Sequence, residues 1–154
     1  MLARKSISEV KAGVVSKADG YLVVSMLQYP RFLAKDLVDE YLQCLSPDRA
    51  LFSRYREFKK KLNDQNRAFE FAEYESEFEL SAEGVKKLEL LSELSQKKNV
   101  FLICQCANNE KCHVDLMLLM ASHLFAAQIE RLPFEYRVFV ERMASNFHQR
   151  ARLP

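Results

Sequence analysis

Val100-Phe101-Leu102-Ile103-Cys104-Gln105-Cys106-Ala107-Asn108-Asn109-Glu110-Lys111-Cys112-His113-Val114 decides both the fold class and the candidate site. It opens with five consecutive apolar residues, the pattern of a strand buried on both faces, as parallel sheets require. After a short polar stretch the chain becomes apolar on nearly every side from Val114 to Ala127, which predicts a buried helix. Asn108-Asn109-Glu110 stands where a helix cap is wanted. A buried strand feeding a buried helix is the repeating unit of α/β folds.

Working outward, Asp19-Gly20 signals a turn and Tyr21 to Leu27 is a second apolar run ended by Pro30. This run and Val100–Cys104 are predicted to be parallel, neighbouring, central strands, because helices intervene between them. Ser6 to Val15 is a weaker first strand. Leu33, Leu37, Val38, Tyr41, Leu42 and Leu45 recur at helical spacing and predict a helix. Ser46-Pro47-Asp48 then stops one helix and starts another, with Ser46 as cap and Leu51, Tyr55, Phe58 and Leu62 along its face. Ala68 to Leu80 fits either a strand, through Phe69 and Phe71, or a helix, through Phe71, Tyr74 and Phe78. Ser81 caps a helix carrying Val85, Leu88, Leu91 and Leu94, ended by Lys97-Lys98-Asn99. A last helix from near Pro133 places Tyr136, Val140, Met143 and Phe147 on one face, before a polar tail from Gln149 to Pro154 expected to fray. The fold class predicted is α/β: a small, mainly parallel sheet with helices packed on its faces, plus an extra C-terminal helix.

The chain has 154 residues, of which 49% are hydrophobic and 29% charged, a balance that suits one globular domain with a real core. The N-terminus lacks the apolar core of an export signal, and no apolar run approaches the length needed to span a bilayer. A cytoplasmic protein with no membrane contact is expected. Four cysteines in that setting argue for thiols rather than disulfides. The net charge of +2 is small. Arg54–Arg67 is rich in basic residues and Ala68–Glu93 in acidic ones, which reads as two solvated faces and disfavours nucleic-acid binding. The partner expected is a small molecule or a protein.

Three thiols and an imidazole fall between the strand and the helix, at the carboxyl end of a strand, where parallel sheets collect ligands. With Asn109 as the cap, Cys112 would lie in the first helical turn, where a thiolate is favoured, against the opposing charge of Glu110. Cys112 is therefore expected to be the most reactive thiol, with Cys106 its competitor, while Cys104 and Cys44 read as packing residues. His123 reads as a core or boundary histidine and His148 as a surface one. Zinc is disfavoured, since one residue separates Cys104 from Cys106 and none separates Cys112 from His113. A cysteine-phosphatase loop is excluded, because Ala107 to Lys111 offers no glycine and no arginine and adds a carboxylate.

Asp19-Gly20, Tyr29-Pro30-Arg31, Leu45-Ser46-Pro47 and Cys104 with Cys112-His113, in that order and spacing, resemble the bacterial domain of unknown function 488 family from about Ile7 to Phe125. The resemblance implies a compact α/β fold and an intracellular bacterial protein, and brings no established activity. Family members with the cysteine motif often carry an acidic residue where Cys106 stands and an arginine where Val114 stands. The missing arginine puts an anion-binding role of the loop in doubt. Residues 1–127 are thus expected to form the family domain and residues 128–154 a helical extension packed on it.

The leading functional expectation is a thiol-dependent activity on a small-molecule or nucleotide-like substrate. Its expected parts are Cys112 as nucleophile, His113 as proton carrier, Cys106 as a further catalytic thiol, and Arg31, Tyr29 and Cys104 at the substrate, with no metal or cofactor. The alternative is a non-catalytic binding or redox-responsive regulatory module.

Overall fold

The computed structural model describes the backbone from Met1 to Ala151 and the side chains through Asn146. Phe147, His148 and the tail from Gln149 to Pro154, whose roles were expected from sequence, lie outside the described side chains. Four strands, β1 (Leu2–Ser6), β2 (Tyr21–Val24), β3 (Glu40–Tyr41) and β4 (Val100–Cys104), form one parallel sheet in the order β1-β4-β2-β3. Seven helices accompany it among the described residues: α1 (Ile7–Lys11), α2 (Arg49–Leu62), α3 (Gln65–Phe71), α4 (Tyr74–Glu77), α5 (Ala82–Leu94), α6 (His113–Phe125) and α7 (Arg137–Ala151). The two apolar runs are the central neighbours, β4 and β2, although β2 stops at Val24 instead of Leu27. Gly20 lets them meet. A Cβ there would lie 2.5 Å from the Asn99 carbonyl oxygen, the same oxygen that accepts the Tyr21 N–H at 2.8 Å.

Alternation along the strands sorts the core into two layers. Leu2, Val23, Val100, Leu102 and Cys104 face a thick layer built from α2 to α7. Ala3, Leu22, Val24, Phe101 and Ile103 face a thin layer of Val10 and Val15, with Leu33 and Val38 from the segment after β2. The helices therefore lie almost entirely on one face. Arg4, two residues after Leu2, points into the thick layer and is buried.

Several expectations need correction. The first strand lies at Leu2–Ser6, and Ile7 onward is helical. The reason is a capping box, in which the Ser6 hydroxyl accepts the Glu9 N–H and the Glu9 carboxylate accepts the Ser6 N–H, both at 3.1 Å. The helix predicted from Leu33 to Leu45 does not form. That stretch instead supplies β3 and two short 3-10 turns, Lys35–Leu37 and Gln43–Leu45. Pairing with β2 wins over helical spacing because the backbone groups of that strand need partners. Asp39 N–H binds the Leu22 carbonyl at 2.9 Å, the Asp39 carboxylate takes the Leu22 N–H at 2.8 Å, and Leu42 N–H binds the Val24 carbonyl at 2.9 Å. Leu33, Val38, Leu42 and Leu45 are buried all the same, whereas Leu37 and Tyr41 are exposed.

Asp48, not Ser46, caps α2 by accepting the Leu51 N–H. The ambiguous stretch from Ala68 resolves as helix, with Phe69 stacked on Tyr74 at 4.5 Å between ring centres. Ser81 caps α5 as expected. α7 begins at Arg137 rather than near Pro133, and its inward residues are Tyr136, just before it, and Phe139, while Val140 is exposed.

The chain after α6 returns to β1: Leu2 N–H binds the Gln128 carbonyl at 2.9 Å, and Glu130 N–H binds the Leu2 carbonyl at 3.1 Å. Tyr136 and Phe139 enter the thick core layer, and Arg142 binds the carbonyls of Glu75 and Phe78 at 2.8 and 2.5 Å.

Candidate functional site

Cys104 ends β4 on the face turned toward the thick layer, Cys106 follows after the exposed Gln105, and Cys112 returns at the start of α6. The three Sγ atoms lie within 4.8 Å of one another. The uneven spacing converges because residues 105–111 close on themselves and are pinned from outside. The Glu110 carboxylate takes the Ala107 N–H at 2.7 Å. Asn66 of α3 accepts the Lys111 N–H at 2.7 Å and donates to the Asn109 carbonyl at 3.3 Å. With the loop's polar groups so engaged, Asn108–Glu110 does not cap the helix. Cys112 is the cap residue itself, in extended conformation, and its side chain makes no capping bond.

Of the three sulfurs of this cluster, Cys104 and Cys112 are buried and Cys106 is partly exposed, so the thiol expected to be the most reactive, Cys112, is the less accessible one. The Gln65 amide donates to Cys106 Sγ at 3.0 Å and also to the Lys111 carbonyl at 3.2 Å. Hydrogen bonds from Cys104 and Cys112, with the Gln65 amide, hold the Cys106 thiol far below its ordinary pKa despite burial. The bond to Cys106 and burial raise the Cys104 thiol, against the opposing bond from Cys112. Burial, with the two neighbouring sulfurs, pushes Cys112 up. Of the three sulfurs, Cys106 is therefore the one most favoured as the thiolate.

His113 places Nε2 at 2.8 Å from the Ser25 carbonyl and Nδ1 at 3.8 Å from Cys112 Sγ. A carbonyl only accepts, so Nε2 carries the proton and Nδ1 is left as an acceptor facing the Cys112 thiol. Desolvation lowers the imidazole pKa, which keeps this neutral tautomer.

Beneath the thiols lies a buried polar group that the sequence reading overlooked. Arg4 Nη1 meets Asp115 Oδ2 at 3.0 Å, with both side chains almost wholly buried, and Nη2 donates to the Ala107 carbonyl at 2.7 Å. Tyr136 donates its hydroxyl to the same Asp115 oxygen at 2.5 Å and accepts the Cys112 N–H at 3.4 Å. Burial opposes the Arg4 charge, yet the negative charge of the sulfur cluster and the Asp115 carboxylate together raise its pKa. Burial raises the Asp115 pKa against the pull of Tyr136 and Arg4. The loop thus has a guanidinium beside it after all, supplied by β1 and not by the position of Val114. Asp115 carried a readable signal, being the one acid within the apolar run from Val114 to Met120. Arg4, Gln65 and Tyr136 carried none, since each reaches the site from a distant element.

The other expected residues come from other parts of the fold. Arg31 is exposed after β2 and makes no hydrogen bond or ion pair among the described residues. Tyr29 packs edge-on against Tyr41 at 5.5 Å, with its buried hydroxyl unpartnered among the described residues. Cys44 lies in a 3-10 turn against the core, its thiol raised chiefly by burial. His123 is exposed near the end of α6 rather than in the core. A concavity of about 810 Å³ between α6 and α7, lined by Leu119, Phe134 and Val140, meets the site through Tyr136 and Glu130, whose carboxylate takes the Arg4 N–H.

A family model, DUF488-N3a, described as the active DUF488-N3 subclade, matches residues 7–123, well over half of the chain. The chain belongs to the DUF488 family. The match spans Cys104, Cys106, Cys112, His113, Gln65 and Asp115 and leaves out Arg4 and Tyr136, so this DUF488 site is closed by residues from both sides of the matched stretch. Comparison with curated proteins and with solved structures found no match. No helix among the described residues is long and apolar enough to cross a membrane.

Proposed function

We propose that this protein is a thiol-dependent enzyme acting on a small molecule with an electrophilic centre, and that Cys106 is the attacking sulfur. The observation that carries the reading is the triangle of sulfurs in which Cys106 alone is accessible and alone receives the Gln65 amide at 3.0 Å. Donors aimed at one sulfur stabilise its thiolate, the nucleophilic form. In the proposed step a bond forms from Cys106 Sγ to the electrophile. The leaving group departs with its bonding pair and takes a proton from the Cys112 S–H. The charge left on Cys112 is short-lived, since the neighbouring Arg4 is already paired with Asp115, and a proton from solvent restores the thiol. His113 orients Cys112 through Nδ1, and Cys104 completes the donor set.

The description of the matched subclade as active supports an enzyme over a binding module. The reading keeps the expected cytoplasmic setting, where thiols stay reduced, and treats residues 128–154 as an extension of the same domain. Limited alkylation with iodoacetamide near neutral pH, mapped by mass spectrometry, tests it. Cys106 should be labelled about tenfold or more ahead of Cys44, Cys104 and Cys112, following thiolate fraction and access. First labelling at Cys112 or Cys104, or none before unfolding, would leave the regulatory-module reading in its place.

A further inference from the structure

We propose that Cys104, Cys106 and Cys112 together form a three-sulfur binding site for a trivalent metalloid, of which arsenous acid is the simplest carrier. The inference goes beyond the nucleophile assigned above, since it uses all three sulfurs and no attack on a carbon centre. Its basis is geometric. The sulfurs form a triangle with no side longer than 4.8 Å, from which small side-chain movements bring all three onto one atom. The imidazole of His113 is not among the ligand atoms that lie within 4.8 Å of one another, although its Nδ1 stands 3.8 Å from Cys112 Sγ, so the three sulfurs converge without a fourth side-chain ligand at equal reach. Tetrahedral zinc wants that fourth ligand, whereas a trivalent metalloid keeps a lone pair there.

Charge decides between thiophilic ions. Two of the sulfurs are fully enclosed and Arg4 lies beneath all three, already committed to Asp115 and the Ala107 carbonyl. Zinc(II) or copper(I) held by three thiolates leaves a net negative complex in a poorly solvated place, which is costly to bury. Arsenic(III) held by three thiolates is neutral. Arsenous acid is itself neutral near pH 7, so the guanidinium does not repel it on entry. In the exchange, three As–S bonds replace three As–O bonds, and each hydroxyl leaves as water with the proton of one thiol. Solvent supplies the proton of any sulfur that is already a thiolate. No electrons change hands.

The probe is sodium arsenite added to the reduced, full-length protein, read by native mass spectrometry and by X-ray absorption at the arsenic edge. One arsenic per chain with the loss of three hydrogens, and three sulfur neighbours around arsenic, is expected. Cys44, outside the triangle, should be dispensable: Cys44→Ser binds as the parent does, while Cys106→Ser and Cys112→Ser each lose about a hundredfold or more in affinity as one arm of the chelate is removed. Two sulfurs and one oxygen around arsenic, no arsenic bound, or equal binding by Cys112→Ser would overturn the proposal. So would stoichiometric zinc held by the same three sulfurs when zinc chloride is added alone. Because the absorption measurement is made on the unsubstituted protein, the proposal stays testable even where a serine variant fails to fold. Rapid alkylation of Cys106 without three-sulfur arsenic would sink this inference and leave the nucleophile standing; the reverse pattern would sink the nucleophile alone.

Discussion

The chain leaves the carboxyl ends of its two central strands in opposite ways. After β4, residues 105–111 are held by groups from two other elements: Arg4 of β1 at the Ala107 carbonyl, Gln65 and Asn66 of α3 at Cys106, Asn109 and Lys111, and Glu70 of α3 on the Lys111 ammonium at 2.8 Å. After β2, the segment reaching β3 is tied mainly to its own continuation, with Tyr41 and Gln43 both donating to the Leu27 carbonyl at 3.0 and 2.8 Å, and Phe32 stands 83% exposed. Both segments occupy the sheet edge where α/β proteins place ligands. The difference teaches that position at that edge is not enough. A site is built where elements remote in sequence converge and can hold polar groups out of water. His113 Nε2 reaches from the ordered side to the Ser25 carbonyl just after β2.

The largest break in this contrast is expected from Asp115→Ala. It leaves the Arg4 guanidinium buried without its carboxylate, and losing one partner of a buried pair costs about 3–5 kcal/mol. Urea unfolding followed by circular dichroism should show that loss, and the double replacement Arg4→Met with Asp115→Leu should recover most of it, because an apolar pair leaves no charge stranded. A loss under about 1 kcal/mol for Asp115→Ala, within the range of a surface pair, would mean that the Arg4 pair does not anchor the loop.

A smaller effect should follow from Tyr136→Phe, which removes only the hydroxyl between Asp115 and the Cys112 N–H. The expected cost is about 1–3 kcal/mol, that of a buried acceptor left short of one donor. Denaturant midpoints measure it. Iodoacetamide labelling in the same variant adds a readout that stability alone would not move: Cys112 should become more accessible while Cys106 keeps its lead. An unchanged midpoint would detach the segment beyond the family match from the site.

What could be read in the sequence divides along the same line. Val100–Cys104 and Tyr21–Val24 were legible because a strand buried on both faces must be apolar throughout, and Ser81 was legible because a cap acts within one turn. The region from Leu33 to Leu45 misled because its apolar residues satisfy helical spacing, whereas the open side of β2 claims the backbone for pairing, and side-chain periodicity does not report that competition. Ser6-Ile7-Ser8-Glu9 was a capping signature on the page, obscured by the valines that follow it. In the site, the membership of Cys104, Cys106, Cys112 and His113 was visible as a cluster of chemistry-bearing residues in one loop. Their ranking was not, since it depends on Gln65 arriving from α3 and on the helix starting at His113, so that Cys112 lies beneath the surface instead of in an exposed first turn.

The smallest effect, and the sharpest check on the contrast, belongs to Arg31. Its exposed side chain makes no hydrogen bond or ion pair among the described residues, so Arg31→Ala should change stability by no more than about 0.5 kcal/mol, as surface substitutions do. The more telling measurement compares two alkylating agents of similar size, neutral iodoacetamide and anionic iodoacetate, at Cys106. A cation that draws anions toward the thiols would favour the anionic reagent, and removing it would slow iodoacetate selectively, more at low ionic strength than at high. Arg4, buried against the cluster, survives the substitution and keeps its own contribution in both proteins. The ratio of the two rates should therefore stay within about twofold of the parent at both salt concentrations, as expected when no other charge near the thiols is lost. A selective drop of tenfold in the iodoacetate rate would show that the segment after β2 closes over the loop after β4 in solution. It would return Arg31 to the site as an anion anchor and erase the difference between the two strand ends.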